Sequence, residues 1–237
     1  MLPIAILSGG LATRLRPLTE KVPKALIEVA GRPFVDWQLE LLAERGVREV
    51  VLCVGFLGEM LQAHVGDGSR YGLTVEFSND GDVLQGTGGA IRKALPMLGS
   101  HFFVLYGDSF LPIDYEAVEQ SWRTSGRSGL MTVFRNEGRW DTSNVEFREG
   151  VLIRYDKSKK SSQMGFIDYG LSILSAESFR DWKDETPLDL ADILREEVRA
   201  HRMGGLEIAQ RFYEIGSLAG IADLETFLGM SSLPPSC

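Results

Sequence analysis

Directly after the apolar run Ile4-Ala5-Ile6-Leu7 the chain reads Ser8-Gly9-Gly10-Leu11-Ala12-Thr13-Arg14-Leu15-Arg16-Pro17-Leu18-Thr19. Adjacent glycines let a main chain come close to a phosphate group, and successive N–H groups at such a turn form an anion-binding nest. Arg14 adds a planar fork of donors suited to phosphate oxygens, and Thr13 offers a hydroxyl to the phosphate or to the loop. Pro23 stiffens the backbone just before Lys24, whose ammonium is expected opposite the glycine loop. The spacing is neither the three-glycine dinucleotide fingerprint nor a P-loop closed by Gly-Lys-Ser/Thr. Alone, the glycine pair would serve a plain turn equally well; the arginines and the Pro23-Lys24 pair favour phosphate.

Further segments extend this chemistry. Asp108 follows His101–Tyr106, a run apolar enough to be a central strand, so it should stand at the carboxyl edge where open α/β sheets bind ligands. A carboxylate there suits Mg²⁺, which takes one or two protein carboxylates plus phosphate oxygens and water; a turn aspartate capping Ser109 or Phe110 is the structural alternative. Zinc has no ligand spacing among His64, His101 and His201. Gln85-Gly86-Thr87-Gly88-Gly89 can lay backbone groups against a flat base, and it opens a helix whose N-terminal end favours an anion; a helix entry without any ligand is the other reading. Towards the middle of the second half, Asn144 and Asp168 can read hydroxyls, Lys157 can neutralise a phosphate, and Gly170, beside Tyr169, lets a ring approach the backbone. Lys157 also shares a polar run with Lys159 and Lys160, the usual composition of a solvated turn.

Such residues need a scaffold that brings strand ends together. The first half supplies it by alternation: strands over Ile4–Leu7, Glu49–Val54, Leu73–Phe77 and His101–Tyr106, with helices over 33–44, 58–65 and 90–98. Asp114–Thr124 reads as a helix and Gly129–Phe134 as a strand, and 144–175 breaks into strand-like pieces that would add antiparallel strands at a sheet edge. Pro187 opens a helix through Ala200, Phe212-Tyr213 begins a short strand, and Ser217 is placed to cap a final helix. The expected fold is therefore α/β: three Rossmann-like layers with a mostly parallel central sheet and a small antiparallel addition. One domain over 1–230 and a mobile tail over 231–237 are expected.

Composition narrows the partners. The chain has 237 residues and a formal net charge of −8 without any Lys/Arg block, so a nucleic-acid polymer or an anionic membrane surface is a poor fit. No run of about 18 apolar residues is present to span a membrane, and no basic-then-apolar leader precedes the first strand, so a cytoplasmic protein is expected. Cys53 lies in an apolar run and reads as a buried thiol of a reducing compartment. Small anionic substrates remain compatible, and a homodimer is left open.

The motifs together resemble the sugar-1-phosphate nucleotidyltransferases. Gly-Gly-x-x-Thr-Arg-Leu-x-Pro-Leu-Thr and Val-Pro-Lys-Ala-Leu are followed, in the family's order, by Gln85–Ala90, Tyr106–Ser109, Ile167–Gly170 and Tyr213–Ser217. The resemblance implies that Leu7, Gly9, Gly10, Ala12, Thr13 and Arg14 form the nucleotide-phosphate loop, that Lys24 contacts phosphates during transfer, and that Gln85, Gly86, Thr87 and Gly88 meet the base and ribose. It implies Asp108 and Glu214 as the carboxylates for Mg²⁺, and Asn144, Lys157, Asp168, Tyr169 and Gly170 on the sugar side. Many relatives carry glycine where this chain has Ala12, and aspartate where it has Glu214. The implied reaction joins a nucleoside monophosphate to a sugar 1-phosphate and releases pyrophosphate. The glycine segment looks closest to guanylyltransferases for mannose or heptose 1-phosphate. Uridylyl transfer to an amino-sugar phosphate, cytidylyl transfer to phosphocholine, and a non-catalytic nucleotide-sugar-binding regulator are the alternatives.

Overall fold

The computed structural model describes residues 1–10, 15, 17–81, 83–140, 142–182 and 187–231. Its strands in chain order are β1 (Ile4–Leu7), β2 (Glu28–Val29), β3 (Arg32–Pro33), β4 (Glu49–Val54), β5 (Thr74–Asn79), β6 (His101–Tyr106) and β7 (Ser109–Phe110). They continue with β8 (Gly129–Arg135), β9 (Val145–Arg148), β10 (Val151–Tyr155), β11 (Phe166–Ser175), β12 (Met203–Glu207) and β13 (Tyr213–Glu214). The α-helices are α1 (Phe34–Glu44), α2 (Gly58–Val65), α3 (Gly86–Leu98), α4 (Tyr115–Ser125), α5 (Leu190–Arg199) and α6 (Leu218–Ser231).

The main sheet has nine strands, with the path β10-β9-β11-β6-β1-β4-β5, with β8 attached to β11 and β12 attached to β8. β1 pairs in parallel with β4 on one side and β6 on the other, while β11 closes antiparallel onto β6. The chain thus runs outward from β1 through β4 to β5, then returns to the far side of β1. That reversal opens a crevice at the carboxyl ends of β1 and β6, where Leu7 stands level with Tyr106. The apolar runs buried on both faces explain why these strands are central: Ile4, Ala5, Ile6, Phe102 and Phe103 are fully sealed from solvent.

Helices cover both faces. Ala90, Ile91 and Ala94 of α3 join Ile193 and Leu194 of α5 against one face, while Val35, Leu39 and Leu42 of α1 join Leu61 of α2 and Val118 of α4 against the other. A satellite cluster matters more for the site. Phe110, Ile215, Val29 and Leu224 pack together, so α6 braces the two-stranded ribbon of β7 and β13. Asp114 and Asp189 cap α4 and α5 through their side chains, and Ser217 Oγ accepts from Gly220 N at 3.0 Å at the start of α6.

Several elements differ from the sequence reading. The helix expected from Pro187 begins at Leu190, because residues 188–190 dock on the start of α3 instead. α3 in turn starts at Gly86, ahead of Ala90. Ser231, assigned to a mobile tail, is helical; residues 232–237, Cys237 among them, lie outside the described residues. β12 was not foreseen, since Gly204-Gly205 has little intrinsic strand preference. Its pairing with β8 dictates it, and a Cβ at Gly205 would stand 2.5 Å from Phe147 Cε2. Among the described residues no helix is long and apolar enough to cross a membrane.

Candidate active site

A cavity of about 300 Å³ opens at the carboxyl ends of β1 and β6, lined among others by Gly9, Gly10, Lys24, Asp80, Thr87 and Asp108. Two approaches of backbone to backbone shape it. Gly107 N donates to Leu7 O at 3.1 Å, which pulls the β6 turn against the glycine loop. A Cβ at Gly9 would stand 3.1 Å from Gly55 N, so the start of that loop rests on the end of β4. Gly10 is exposed, and no described residue lies within 4 Å of where its Cβ would be. Packing among the described residues does not demand glycine there; close passage of a ligand would. Leu7 also lines the cavity. Ala12, Thr13 and Arg14, expected to continue the phosphate loop, lie outside the described residues.

Opposite the loop, Lys24 begins a short 3-10 turn after Pro23, whose ψ of 145° turns the chain into it. Lys24 Nζ reaches Asp108 Oδ2 at 2.6 Å, with side-chain exposures of 18% and 33%. Asp108 stands in the turn just after β6, and its carbonyl accepts from Ile215 N at 2.9 Å. The ribbon then places Glu214 level with Ser109. The Glu214 carboxylate accepts from Gly216 N and from Ser217 Oγ, the latter at 3.3 Å. A Cβ at Gly216 would crowd that carboxylate and stand 3.5 Å from Lys24 Nζ, so both acids border the same ammonium. Two carboxylates beside a phosphate-sized cavity make an all-oxygen donor set, which fits a hard cation such as Mg²⁺. Among the described residues no three of His, Cys, Asp and Glu converge.

The glycine segment after β5 is built differently from the expectation. Gly86 has φ +76°, and a Cβ there would stand 2.5 Å from Leu188 O; one at Gly88 would meet Leu188 Cγ at 2.9 Å. Gly88 N and Gly89 N both donate to Leu188 O, at 2.8 and 3.1 Å, and Leu188 N returns a bond to Gln85 O at 2.9 Å. Thr87 Oγ1 lies 3.0 Å from Asp189 Oδ1 and accepts from Leu190 N at 2.9 Å. These glycines therefore serve the docking of 188–190, and two of the N–H groups expected to face an anion are already paired. Gly86 and Thr87 still line the cavity. The Gln85 amide donates to Val83 O at 2.7 Å rather than standing free.

Around Tyr106 the structure gathers Lys157, Asp168 and Gly170 of the residues expected on the sugar side. Lys157 Nζ donates to the Tyr106 hydroxyl at 3.1 Å. The turn carrying Lys157 is held by Asp156, whose carboxylate accepts from Lys159 N and from Ser158 N and Oγ. The Lys159 N–H is the largest cause that keeps the Asp156 carboxyl well below the usual carboxylate range. Asn144 Oδ1 accepts from Asp168 N at 2.9 Å, which clips the start of β9 to β11. Asp168 Oδ1 accepts from Gly170 N at 3.0 Å, whereas Oδ2 is sealed from solvent without a hydrogen-bond partner. Burial raises the Asp168 carboxyl above the ordinary range, against the opposing pull of Lys157. Gly170 has φ +102° and faces Ser109 and Tyr106.

Tyr169 is not brought to this side. Successive strand residues face opposite ways, and Tyr169, 2% exposed, packs with Phe134 and Phe212 at 6.1 and 5.9 Å between ring centroids. Its side chain is part of the core, which leaves its main chain to meet a ligand. Among the cavity residues that were given no role from the sequence are Tyr106 and Asp80. Tyr106 was read as the end of an apolar strand and the start of the Tyr106–Ser109 motif. Asp80, 7% exposed, ends β5 at the same carboxyl edge as Asp108, the positional signal that would have found it. Burial raises the Asp80 carboxyl, and its Oδ2 accepts from Gln85 N at 3.3 Å. Cys53 is a buried thiol as expected, pushed up to about 12 by desolvation.

A glycine loop, a lysine and a carboxylate just past a strand end stand around one cavity, at the reversal point of an α/β sheet. The family model described as nucleotidyl transferase matches residues 4–143. The chain belongs to that nucleotidyl transferase family and is an enzyme of its class. The N-acetylmuramate alpha-1-phosphate uridylyltransferase of Neisseria meningitidis serogroup B is 28% identical, over 94% of this chain and 97% of that protein. The D-glycero-alpha-D-manno-heptose 1-phosphate guanylyltransferase of Campylobacter jejuni is 27% identical, over 89% and 93%. HddC from Yersinia pseudotuberculosis, solved in complex with GMP-PN, shares the fold with a TM-score of 0.78 at 21% identity, over 96% of this chain and 100% of that one.

Proposed function

We propose that this enzyme transfers a nucleoside monophosphate from a nucleoside triphosphate to a sugar 1-phosphate, with guanosine as the base and a mannose or heptose phosphate as the acceptor. The observation that carries the transfer reaction is the Lys24–Asp108 pair, joined through Ile215 to Glu214 beside the glycine-lined cavity. A phosphate oxygen of the sugar attacks the α-phosphorus, a new P–O bond forms, and the bond to the bridging oxygen of pyrophosphate breaks. The nucleophile is already anionic, so no side chain need remove a proton; the work lies in holding two anions together and offsetting their charge. Lys24 meets the triphosphate from across the loop, and Arg14 is assigned to the same phosphates. Asp108 and Glu214 would hold Mg²⁺, which supplies Lewis-acid neutralisation of phosphate charge. Lys157 receives the sugar phosphate.

Asp80 supports guanine. A carboxylate accepts only, which matches the adjacent N1–H and N2–H₂ donors of guanine and repels the carbonyls flanking the single N–H of uracil. Asp80→Asn is therefore expected to lower kcat/KM for GTP about ten- to a hundredfold while changing the value for UTP much less. Equal losses for both nucleotides would remove Asp80 from base selection. The Neisseria relative, matched over nearly its whole length, favours the second reading, uridylyl transfer to an amino-sugar 1-phosphate.

Pyrophosphate release from GTP, UTP, CTP, ATP and dTTP, each with mannose, heptose, glucose and amino-sugar 1-phosphates, separates the readings. GTP with mannose or heptose phosphate is expected to lead, with activity lost to EDTA and restored by Mg²⁺. UTP with an amino-sugar phosphate would install the second reading. Silence across the matrix with a nucleotide or nucleotide sugar still bound would point to an untried acceptor such as phosphocholine, or to a binding protein without turnover.

A further inference from the structure

We propose that Tyr106 is a positioning residue for the sugar 1-phosphate, its hydroxyl holding the Lys157 ammonium at the place where the acceptor phosphate arrives. The inference rests on the transfer reaction proposed above and adds a residue that links the nucleotide side of the cavity to the acceptor side.

Tyr106 is the last residue of β6, level with Leu7 of β1 and two positions before Asp108, and it lines the cavity. Its ring is fixed from one side by β11, where a Cβ at Gly170 would stand 3.5 Å from Tyr106 Cδ2. Lys157 approaches the hydroxyl end, with Nζ 3.1 Å from the phenolic oxygen and 5.1 Å from the ring centroid. Lys157 is otherwise exposed, on a flexible stem that water would leave in many rotamers. One of its three N–H donors is spent on Tyr106, which leaves two for a phosphate.

The direction of the bond completes the case. Because Lys157 donates to the tyrosine oxygen, the phenolic proton must point elsewhere. The Asp168 carboxylate lies close enough to act on Tyr106, and on the buried Tyr155 as well. A strand-end tyrosine set between a buried acid and an exposed lysine orients that lysine. Phenylalanine at position 106 would keep the ring and its attraction for the ammonium, and lose only the acceptor.

The test compares wild type, Tyr106→Phe, Lys157→Ala and the double variant in steady-state pyrophosphate release, on the nucleotide and sugar pair most active in the matrix above. Tyr106→Phe is expected to raise KM for the sugar 1-phosphate about tenfold, the usual scale of one hydrogen bond to a charged group, with KM for the triphosphate within about twofold of wild type. In the Lys157→Ala background the same substitution should add no further loss. An equal rise in both KM values, an unchanged sugar KM, or full additivity with Lys157→Ala would overturn the positioning role while leaving the transfer reaction in place. A wild type that turns over no pair would overturn both.

Discussion

Asp108→Asn is expected to reduce pyrophosphate release by about 10²- to 10⁴-fold, the several kcal/mol that charge neutralisation contributes to phosphoryl-type transition states. Asparagine keeps the size of the side chain and an oxygen that Lys24 can still donate to, but it removes the negative charge. The fold should tolerate the change. Asp108 is one-third exposed on its side chain, and an ion pair so placed contributes about 1 kcal/mol or less to stability. Thermal unfolding of the variant should therefore overlay that of the wild type while turnover collapses at every Mg²⁺ concentration tried. A folded Asp108→Asn protein with wild-type kcat at limiting Mg²⁺ would sink the metal role of this residue.

Gly86→Ala is expected to act on the fold first and on nucleotide binding through it. Two independent strains meet at this residue. The φ of +76° places an L side chain in the left-handed region, and the added Cβ would stand 2.5 Å from Leu188 O, a main-chain atom that already receives Gly88 N and Gly89 N. Left-handed geometry costs about 1–2 kcal/mol and overpacking typically adds about 1–3 kcal/mol. A fall in Tm of roughly 5–10 °C follows for a domain of this size, with weaker binding of the triphosphate as Thr87 loses its place against Asp189. Gly165→Ala, where nothing lies within 4 Å of the added carbon, serves as the control. If Gly86→Ala melts like the control, the docking of 188–190 on the start of α3 does not have the weight given to it.

The sequence was most legible where burial on both faces makes a strand a continuous apolar run. Ile4–Leu7, Glu49–Val54 and His101–Tyr106 stand in the structure at the bounds read from the chain. From those strand ends the neighbourhood of Gly9, Gly10, Lys24 and Asp108 followed. Legibility failed where a residue's reason lies in a distant partner. Gly86, Gly88 and Gly89 read as room for a base, yet Leu188, about a hundred residues away, occupies that room. Nothing local announces such a contact. Ser109–Phe110 is too short to leave a periodic signal, though its pairing with the short strand read at Tyr213 sets Glu214 level with Ser109. Tyr169 could have been placed correctly, because it neighbours Asp168 on one strand and the two must face opposite ways.

The bond from Ile215 N to Asp108 O joins parts of the chain that are synthesised far apart. A chain ending after β7 would carry the loop, the lysine and Asp108 but would lack the strand that sets Glu214 level with Ser109 and the helix that braces it. By the roles proposed above, such a chain would hold one of the two acids and not the other. The ribbon thus ties the second acid to the far end of the chain, and truncation before β13 is expected to abolish turnover.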